Sequence, residues 1–114
     1  MLSERYPVLR VGQAAVISAP VEVDVTNADD IVKCLLSAIS TGARALVVDM
    51  TATTFCDCAG VYAIVACWKQ AVAEGVTLRL AATTPAVEQV LAITGASRLI
   101  DTRPTVAAAL IDPG

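Results

Sequence analysis

The sequence predicts an α/β fold in which a mixed, mostly parallel β-sheet is combined with about four helices, in the order β-β-α-β-α-β-α-β-α. Residues Ala45–Asp49 form a nearly continuous apolar run, which is typical of a strand buried on both faces. Residues 27–40 instead carry apolar side chains at helical spacing. Because strands alternate with helices along the chain, we expect right-handed crossovers and largely parallel pairing. The 114 residues, 1–114, fit one domain of ordinary size.

The first half of the chain is expected to contain a hairpin, a helix and the apolar strand. Residues 6–11 and 14–18 are β-prone and flank Gly12-Gln13, which indicates a hairpin turn. For the helix over residues 27–40, Thr26 is the expected N-cap and Gly42 the expected end. The face of this helix that should be buried comprises Ile31, Cys34, Leu35, Ala38 and Ile39.

The second half of the chain is expected to alternate helices with strands. Residues 76–81 alternate between apolar and polar side chains, which predicts a strand. Thr84-Pro85 marks the start of a helix that ends at Gly95; a short strand around Leu99 and Ile100 and a last helix over residues 105–111 follow. An earlier helix runs from Gly60 to Gly75, and its predicted core stripe comprises Val61, Ile64, Val65, Trp68 and Val72.

The segment Phe55-Cys56-Asp57-Cys58-Ala59-Gly60 lies where the apolar strand gives way to this helix. Asp57 is the expected N-cap, and Gly60 should permit close backbone packing. Cys58 should lie in the first helical turn, where the helix dipole favours a thiolate and the neighbouring Asp57 opposes it. Cys34 and Cys67 fall on or beside apolar helix faces, so we expect them to be packing residues.

Charge and hydropathy exclude several classes of partner. The chain has a net charge of −3, and its eight Lys and Arg residues are not clustered, which argues against direct binding of nucleic acid. No segment approaches the roughly 18 apolar residues that a membrane span needs. Residues 1–5 also lack the pattern of a signal peptide. We therefore expect a cytoplasmic protein that does not interact with membranes.

Catalysis and metal binding are poorly supported by the residue types present. The chain has no histidine to activate a thiol or hydroxyl, and no Gly-rich phosphate loop followed by lysine. Its four cysteines include no C-x-x-C pair. Asp24, Asp49 and Asp57 could in principle hold Mg²⁺, although aspartates at strand ends more often cap helices. We expect a protein that is not an enzyme and that binds no metal or cofactor.

Three segments resemble the signature of the STAS domain family, in particular the bacterial anti-sigma factor antagonists. The family typically shows an apolar strand ending in Asp and then Phe-x-Asp-Ser-(Ser or Ala)-Gly before a helix. The corresponding segments here are Val47-Val48-Asp49-Met50 and then Phe55-Cys56-Asp57-Cys58-Ala59-Gly60. The other two are Glu22-Val23-Asp24-Val25-Thr26-Asn27-Ala28, similar to the family's Gly-Glu-(Leu or Ile)-Asp loop, and Val90-Leu91-Ala92-Ile93-Thr94-Gly95 followed by Leu99-Ile100. All three occur in order over nearly the whole chain.

The resemblance implies a binding module that acts in bacterial transcription regulation and stress response. Members bind an anti-sigma factor that is also a serine kinase and thereby free a sigma factor. The kinase phosphorylates the serine after the motif's Asp, and the added charge ejects the antagonist. Carried over by position, Cys58 occupies the phospho-acceptor position. The partner-binding surface would comprise Asp24, Thr26, Asn27, Asp57, Ala59 and Gly60, with Asp24 and Asp57 meeting positive groups.

Cys58 is the main departure from the family pattern, because a thiol is not a normal substrate of a serine kinase. Val21 also replaces the glycine that usually precedes the Glu-x-Asp segment. Three versions of the function stay open. The chain could be an antagonist that resists phosphorylation, or a redox-gated antagonist in which oxidised Cys58 takes the place of phosphoserine. It could also be a scaffold or regulatory STAS domain in a multi-protein signalling complex.

Overall fold

The computed structural model describes residues 6–111, and its central feature is a five-stranded sheet. The strands are β1 (Val8–Val11), β2 (Ala14–Ser18), β3 (Glu22–Val23), β4 (Ala45–Asp49), β5 (Phe55–Cys56), β6 (Thr77–Ala81) and β7 (Thr102–Arg103). The helices are α1 (Ala28–Ser40), α2 (Cys58–Ala73), α3 (Pro85–Ile93), α4 (Ala96–Leu99) and α5 (Val106–Leu110). The main sheet has the order β1-β2-β4-β6-β7, in which only the β1–β2 pair is antiparallel. The predicted α/β class with a mixed, mostly parallel sheet is confirmed.

The core lies mainly between one face of this sheet and the helices α1, α2 and α3. Alternate residues of the parallel strands form its floor, and Leu46 of β4 stands in register between Ala15 of β2 and Leu78 of β6. Four of the five α1 residues predicted to be core are buried, and Ile39 packs against them. On the opposite face, a smaller cluster joins α5 to the sheet; its buried members are Val16, Val47, Ala81 and Ala109.

The predicted strand around Leu99 and Ile100 is wrong. Leu99 ends α4, and the Ile100 N–H donates to the Ala96 carbonyl at 2.9 Å, so the chain makes a helical turn there. The edge strand β7 follows two residues later. Two adjacent apolar residues before a polar segment are compatible with either a short strand or the end of a helical turn. Here the chain forms the helical turn, because Gly95, at φ +83, is the N-cap of a second helix, α4. The described residues therefore contain five helices, where about four were expected.

Helix α2 buries a different face from the one predicted. Val61 and Ile64 are buried as expected, but Val72 is exposed, and Val65 and Trp68 are only half-buried. Cys67 and Ala71 are buried instead, and burial raises the pKa of the Cys67 thiol to about 11. The buried stripe of α2 is therefore rotated from the predicted one towards the small side chains of the helix. Cys34 is buried too, so the predicted packing role of Cys34 and Cys67 is confirmed.

Arg79 is a buried charged residue on β6 that connects the sheet to α5. Its Nη1 donates to the carbonyl oxygens of Ala109 at 3.0 Å and Ile111 at 2.6 Å. Its Nε lies 3.3 Å from the Asp101 carboxylate, which also pairs with Arg103. The hydrogen bond from Arg103 is the main reason that the pKa of Asp101 lies below its usual value. Arg79 thus satisfies the carbonyls at the end of α5 and holds this short helix on the sheet.

Within residues 6–111, no helix has the length and apolar character needed to cross a membrane.

We expect Arg79→Met to lower the free energy of unfolding by about 2 kcal/mol, because it leaves the buried Ala109 carbonyl and the part-buried Ile111 carbonyl without their charged donor. Urea denaturation followed by circular dichroism measures this change. Arg98→Met is the matched control, since Arg98 is exposed. Equal unfolding free energies for the two variants would contradict this account of Arg79.

Candidate functional site

A two-stranded parallel sheet, separate from the main one, brings the predicted site residues together. Its strands are β3 and β5, with Glu22 in register with Phe55 and Val23 in register with Cys56. The Thr54 N–H donates to the Val21 carbonyl at 2.8 Å, just before the pair begins. The loop containing Asp24, Thr26 and Asn27 follows β3 directly, and α2, with Cys58, Ala59 and Gly60 in its first turn, follows β5. Both halves of the predicted surface therefore start from adjacent points.

Asp24 organises the loop that follows β3. One of its carboxylate oxygens accepts hydrogen bonds from both the backbone N–H and the hydroxyl of Thr26. These bonds, with the hydroxyl the larger cause, lower the pKa of Asp24 below its ordinary value. Asn27 closes the loop from the other side: its Oδ1 accepts from the Asp24 N–H at 3.0 Å, and its Nδ2 donates to the Glu22 carbonyl at 2.8 Å.

The prediction that Thr26 caps α1 is wrong. Asn27 occupies the N-cap position, and its side chain makes no cap hydrogen bond to the helix. The Thr26 hydroxyl instead donates to the Asp24 carboxylate, in the turn that precedes the helix. The polar side chains of this loop therefore hold its own shape.

Asp57 is the N-cap of α2, as predicted. Its backbone is extended, and its Oδ1 accepts a hydrogen bond from the Gly60 N–H at 2.8 Å. The next residue, Cys58, is the first of the helix, and its side chain is exposed, whereas Cys34, Cys56 and Cys67 are buried. The structure thus presents the Cys58 thiol to solvent beside a carboxylate that is itself engaged in capping.

Gly60 and Val23 make the closest approach between the two halves of the site. A Cβ at Gly60 would lie 2.6 Å from the Val23 Cγ1 and 3.3 Å from the Val23 carbonyl oxygen. It would also lie 3.3 Å from the Cys56 Sγ. Burial, with smaller contributions from Asp57 and Cys58, raises the pKa of the Cys56 thiol to about 11, so it remains a neutral packing group at neutral pH. The expectation that Gly60 permits close packing is confirmed.

Val23 and Cys56 are the residues of this site that the sequence analysis missed. They contact no solvent and carry no chemistry, but their pairing sets the separation of the Asp24 loop from α2. The available signal was one apolar residue in each motif, placed immediately before its Asp. Strands of two residues are too short for periodicity to detect.

The site has a strongly one-sided charge. Residues 21–29 and 54–62, which contain both halves, hold four of the chain's eleven acidic residues and none of its eight basic ones. The four are Glu22, Asp24, Asp29 and Asp57. The rest of the chain has seven acidic and eight basic residues, so the net negative charge of the protein comes from these two segments. Among residues 6–111, no three His, Cys, Asp or Glu side chains cluster closely enough to hold a metal ion. The geometry suits a contact surface for a basic partner.

A known family matches this chain over almost all of the described residues. The STAS domain family model matches residues 6–109. This chain belongs to the STAS domain family. The match covers all the main elements, and it confirms the resemblance inferred from the three sequence segments. No curated protein matches the sequence of this STAS domain closely enough to count.

Solved structures share the fold of this STAS domain over almost its whole length. An anti-sigma factor antagonist from Mycobacterium paratuberculosis superposes with a TM-score of 0.84 at 23% identity, over 92% of this chain and 89% of that chain. The unphosphorylated anti-sigma factor antagonist SpoIIAA gives 0.76 at 20% identity, over 90% and 91%. A variant of RsbS from Moorella thermoacetica gives 0.79 at 23% identity, over 94% and 92%. At these identities the similarity establishes the fold.

We expect Gly60→Ala to destabilise the protein by about 1–3 kcal/mol through overpacking against Val23. Alanine is the better helix former by about 1 kcal/mol, so an unhindered site would show the opposite sign. Chemical denaturation of a double-mutant cycle with Val23→Ala measures the effect, because removing Cγ1 relieves the clash. Additive changes in the cycle would show that the two residues do not meet.

We expect Thr26→Val to raise the pKa of Asp24 toward its ordinary value of 3.8, because the hydroxyl donor is lost. The Asp24 pKa is depressed in the folded protein, so the ionised carboxylate supports the loop fully above pH 3.8. This support is lost as the pH falls through the folded-state value. Carboxyl carbon chemical shifts followed by NMR titration measure the pKa. Thr54→Val is the control, and an identical Asp24 titration in both variants would contradict the assignment.

Proposed function

We propose that this STAS domain is an anti-sigma factor antagonist: it binds a serine-kinase type of anti-sigma factor and so frees a sigma factor. The observation that carries the proposal is the β3–β5 pairing, which places the Asp24 loop and the exposed Cys58 at the start of α2 on one surface. Anti-sigma factor antagonists with the same fold support it. Asp24, Thr26, Asn27, Asp57 and Ala59 form the proposed contact surface, whereas the predicted member Gly60 is buried against Val23 and supports this surface from beneath.

The charge of this surface determines the chemistry of the partner. Four acidic residues without a basic neighbour in the same two segments favour a partner patch rich in Lys and Arg. Attraction between such patches accelerates association, and salt screens it over about 8 Å at physiological ionic strength. Complex formation should therefore be fast at low salt and slower at high salt.

Cys58 changes the way in which the complex would be regulated. A phosphate at the start of α2 would bring about −1.5 to −2 charge and added bulk into the contact, and the steric and desolvation cost of this group would disrupt the complex even against a basic partner. A thiol in this position does not accept phosphate from a serine kinase. We infer an antagonist that stays bound in the presence of ATP, because its partner cannot phosphorylate it.

The test compares the wild-type chain with Cys58→Ser against a panel of purified serine-kinase anti-sigma factors from the same organism, with and without ATP. Binding without ATP should differ by less than about twofold, since the hydroxyl and thiol are similar in size. With ATP, Cys58→Ser should become phosphorylated and lose about tenfold or more in affinity, while the wild type should keep its affinity. Intact-mass spectrometry detects the phosphate, and calorimetric titration measures the affinity.

Two further variants control this test. Cys58→Ala should bind like the wild type and stay unmodified, whereas Cys58→Glu should bind weakly even without ATP, because it adds bulk and a charge that must be desolvated at the same position. Phosphate on the wild type, for instance at the exposed Thr54, would contradict the proposed resistance. A wild-type chain that bound none of the kinases would contradict the antagonist role and favour the scaffold alternative.

The same binding experiment also tests the redox-gated version, because the exposed Cys58 thiol is accessible to an oxidant. Peroxide would convert the thiol to a sulfenic acid and water, and this adds a polar group at the contact surface. The buried Cys34, Cys56 and Cys67 should react more slowly. Affinity that falls after peroxide and recovers with a thiol reductant would favour redox gating over constitutive binding.

A further inference from the structure

Two of the four aromatic residues of the chain are exposed at the proposed contact surface. Phe55 exposes 50% of its surface and Tyr62 exposes 62%. The other two, Tyr6 and Trp68, are partly buried and pack against the main core. Tyr6 and Trp68 therefore contribute to the core, whereas the exposed surface of Phe55 and Tyr62 does not.

The placement of both rings follows from the elements that surround Cys58. In the β3–β5 pair, Val23 and Cys56 are in register and buried. The preceding register pair, Glu22 and Phe55, is exposed, so Phe55 stands beside Glu22 on the outer face. Tyr62 lies four residues after Cys58 in α2, which places it on the same face of the helix, about 6 Å along the axis.

Apolar and acidic side chains are interspersed on this surface. Val25 exposes 71% of its surface and follows Asp24 directly, just as Phe55 neighbours Glu22. Aromatic residues are enriched at the energetic centres of protein interfaces, where they enter pockets and are surrounded by polar groups that complete the contact. Two exposed aromatic residues on a surface whose charged residues are all acidic have this composition, and the two segments that contain them already form the proposed interface.

We infer that Phe55 and Tyr62 are the anchor residues of this interface, and that the partner presents an apolar cleft whose rim carries Lys and Arg side chains. This inference rests on the proposed antagonist function and adds the chemistry of the surface that recognises it. The rings supply most of the affinity by leaving water on binding. The carboxylates of Glu22, Asp24 and Asp57 orient the partner and accelerate its approach.

The test measures affinity for the kinase that binds the wild-type chain most tightly, at low and at high salt. Phe55→Ala and Tyr62→Ala should each raise the dissociation constant about tenfold or more, whereas Tyr62→Phe, which keeps the ring, should change it by less than about threefold. The controls are Val72→Ala and Ile93→Ala, since these side chains are 57% and 73% exposed but lie outside the two segments. Both controls should bind like the wild type.

Salt dependence separates the two kinds of contact. Phe55→Ala should lose the same factor in affinity between low and high salt as the wild type, because every charge is retained. Glu22→Gln should lose a smaller factor, because one charge pair with the partner is gone. Thermal unfolding of each variant checks that the fold is intact, which we expect because the substituted side chains are exposed.

The outcomes distinguish the inference from the function on which it rests. If the wild-type chain binds a kinase and both aromatic variants bind within about twofold of it, the anchor assignment is overturned while the antagonist function stands. If the wild-type chain binds no kinase, the proposed function fails and the inference fails with it. Tenfold losses confined to the aromatic variants, with unchanged salt dependence, would support the anchor assignment.

Discussion

The contact between Val23 and Gly60 is the constraint on which the rest of the surface depends. Strands of two residues are far too short to persist alone, so β3 and β5 need support from the core. Val23 and Cys56 supply it by being buried together, and the missing side chain of Gly60 lets α2 start directly against them. The distance between the Asp24 loop and the Cys58 helix is therefore set by core packing together with backbone hydrogen bonds between the two halves, such as that from the Asp57 N–H to the Val23 carbonyl at 3.1 Å.

Three of the four carboxylates on the acidic surface also stabilise the backbone elements on which they lie. Asp57 caps α2, Asp24 holds the Thr26 turn, and Asp29 lies in the first turn of α1, where the helix dipole favours negative charge. These interactions offset some of the mutual repulsion of four like charges. In the proposed complex, recognition and folding would use the same side chains, and none of these carboxylates has to be fully buried for the protein to fold.

Local signals predicted much of the chain, and they failed where distant packing decides. Gly75 and Thr84-Pro85 marked helix ends correctly, because φ and hydrogen bonding at such residues depend on the backbone itself. The Asp57 cap was predictable for the same reason. The burial of Val72 and the strand at Ile100 were mispredicted, since helix rotation and the choice between turn and strand depend on neighbours far along the chain. Thr26 was mispredicted because the Asp24 turn takes up its hydroxyl and the helix begins one residue later, after Asn27.

By itself, the sequence determined the α/β class, the helix boundaries near Gly and Pro, the acidic character of two segments and the cysteine in place of the serine of the family. These properties are local, because they depend on residue type and on spacing over a few positions. Only the tertiary structure decided that the two segments share one surface, that Phe55 and Tyr62 remain exposed there, and that Val23 and Cys56 join the halves. The physical reason is that a pair of two-residue strands has no pattern of its own and forms only when the surrounding core buries it.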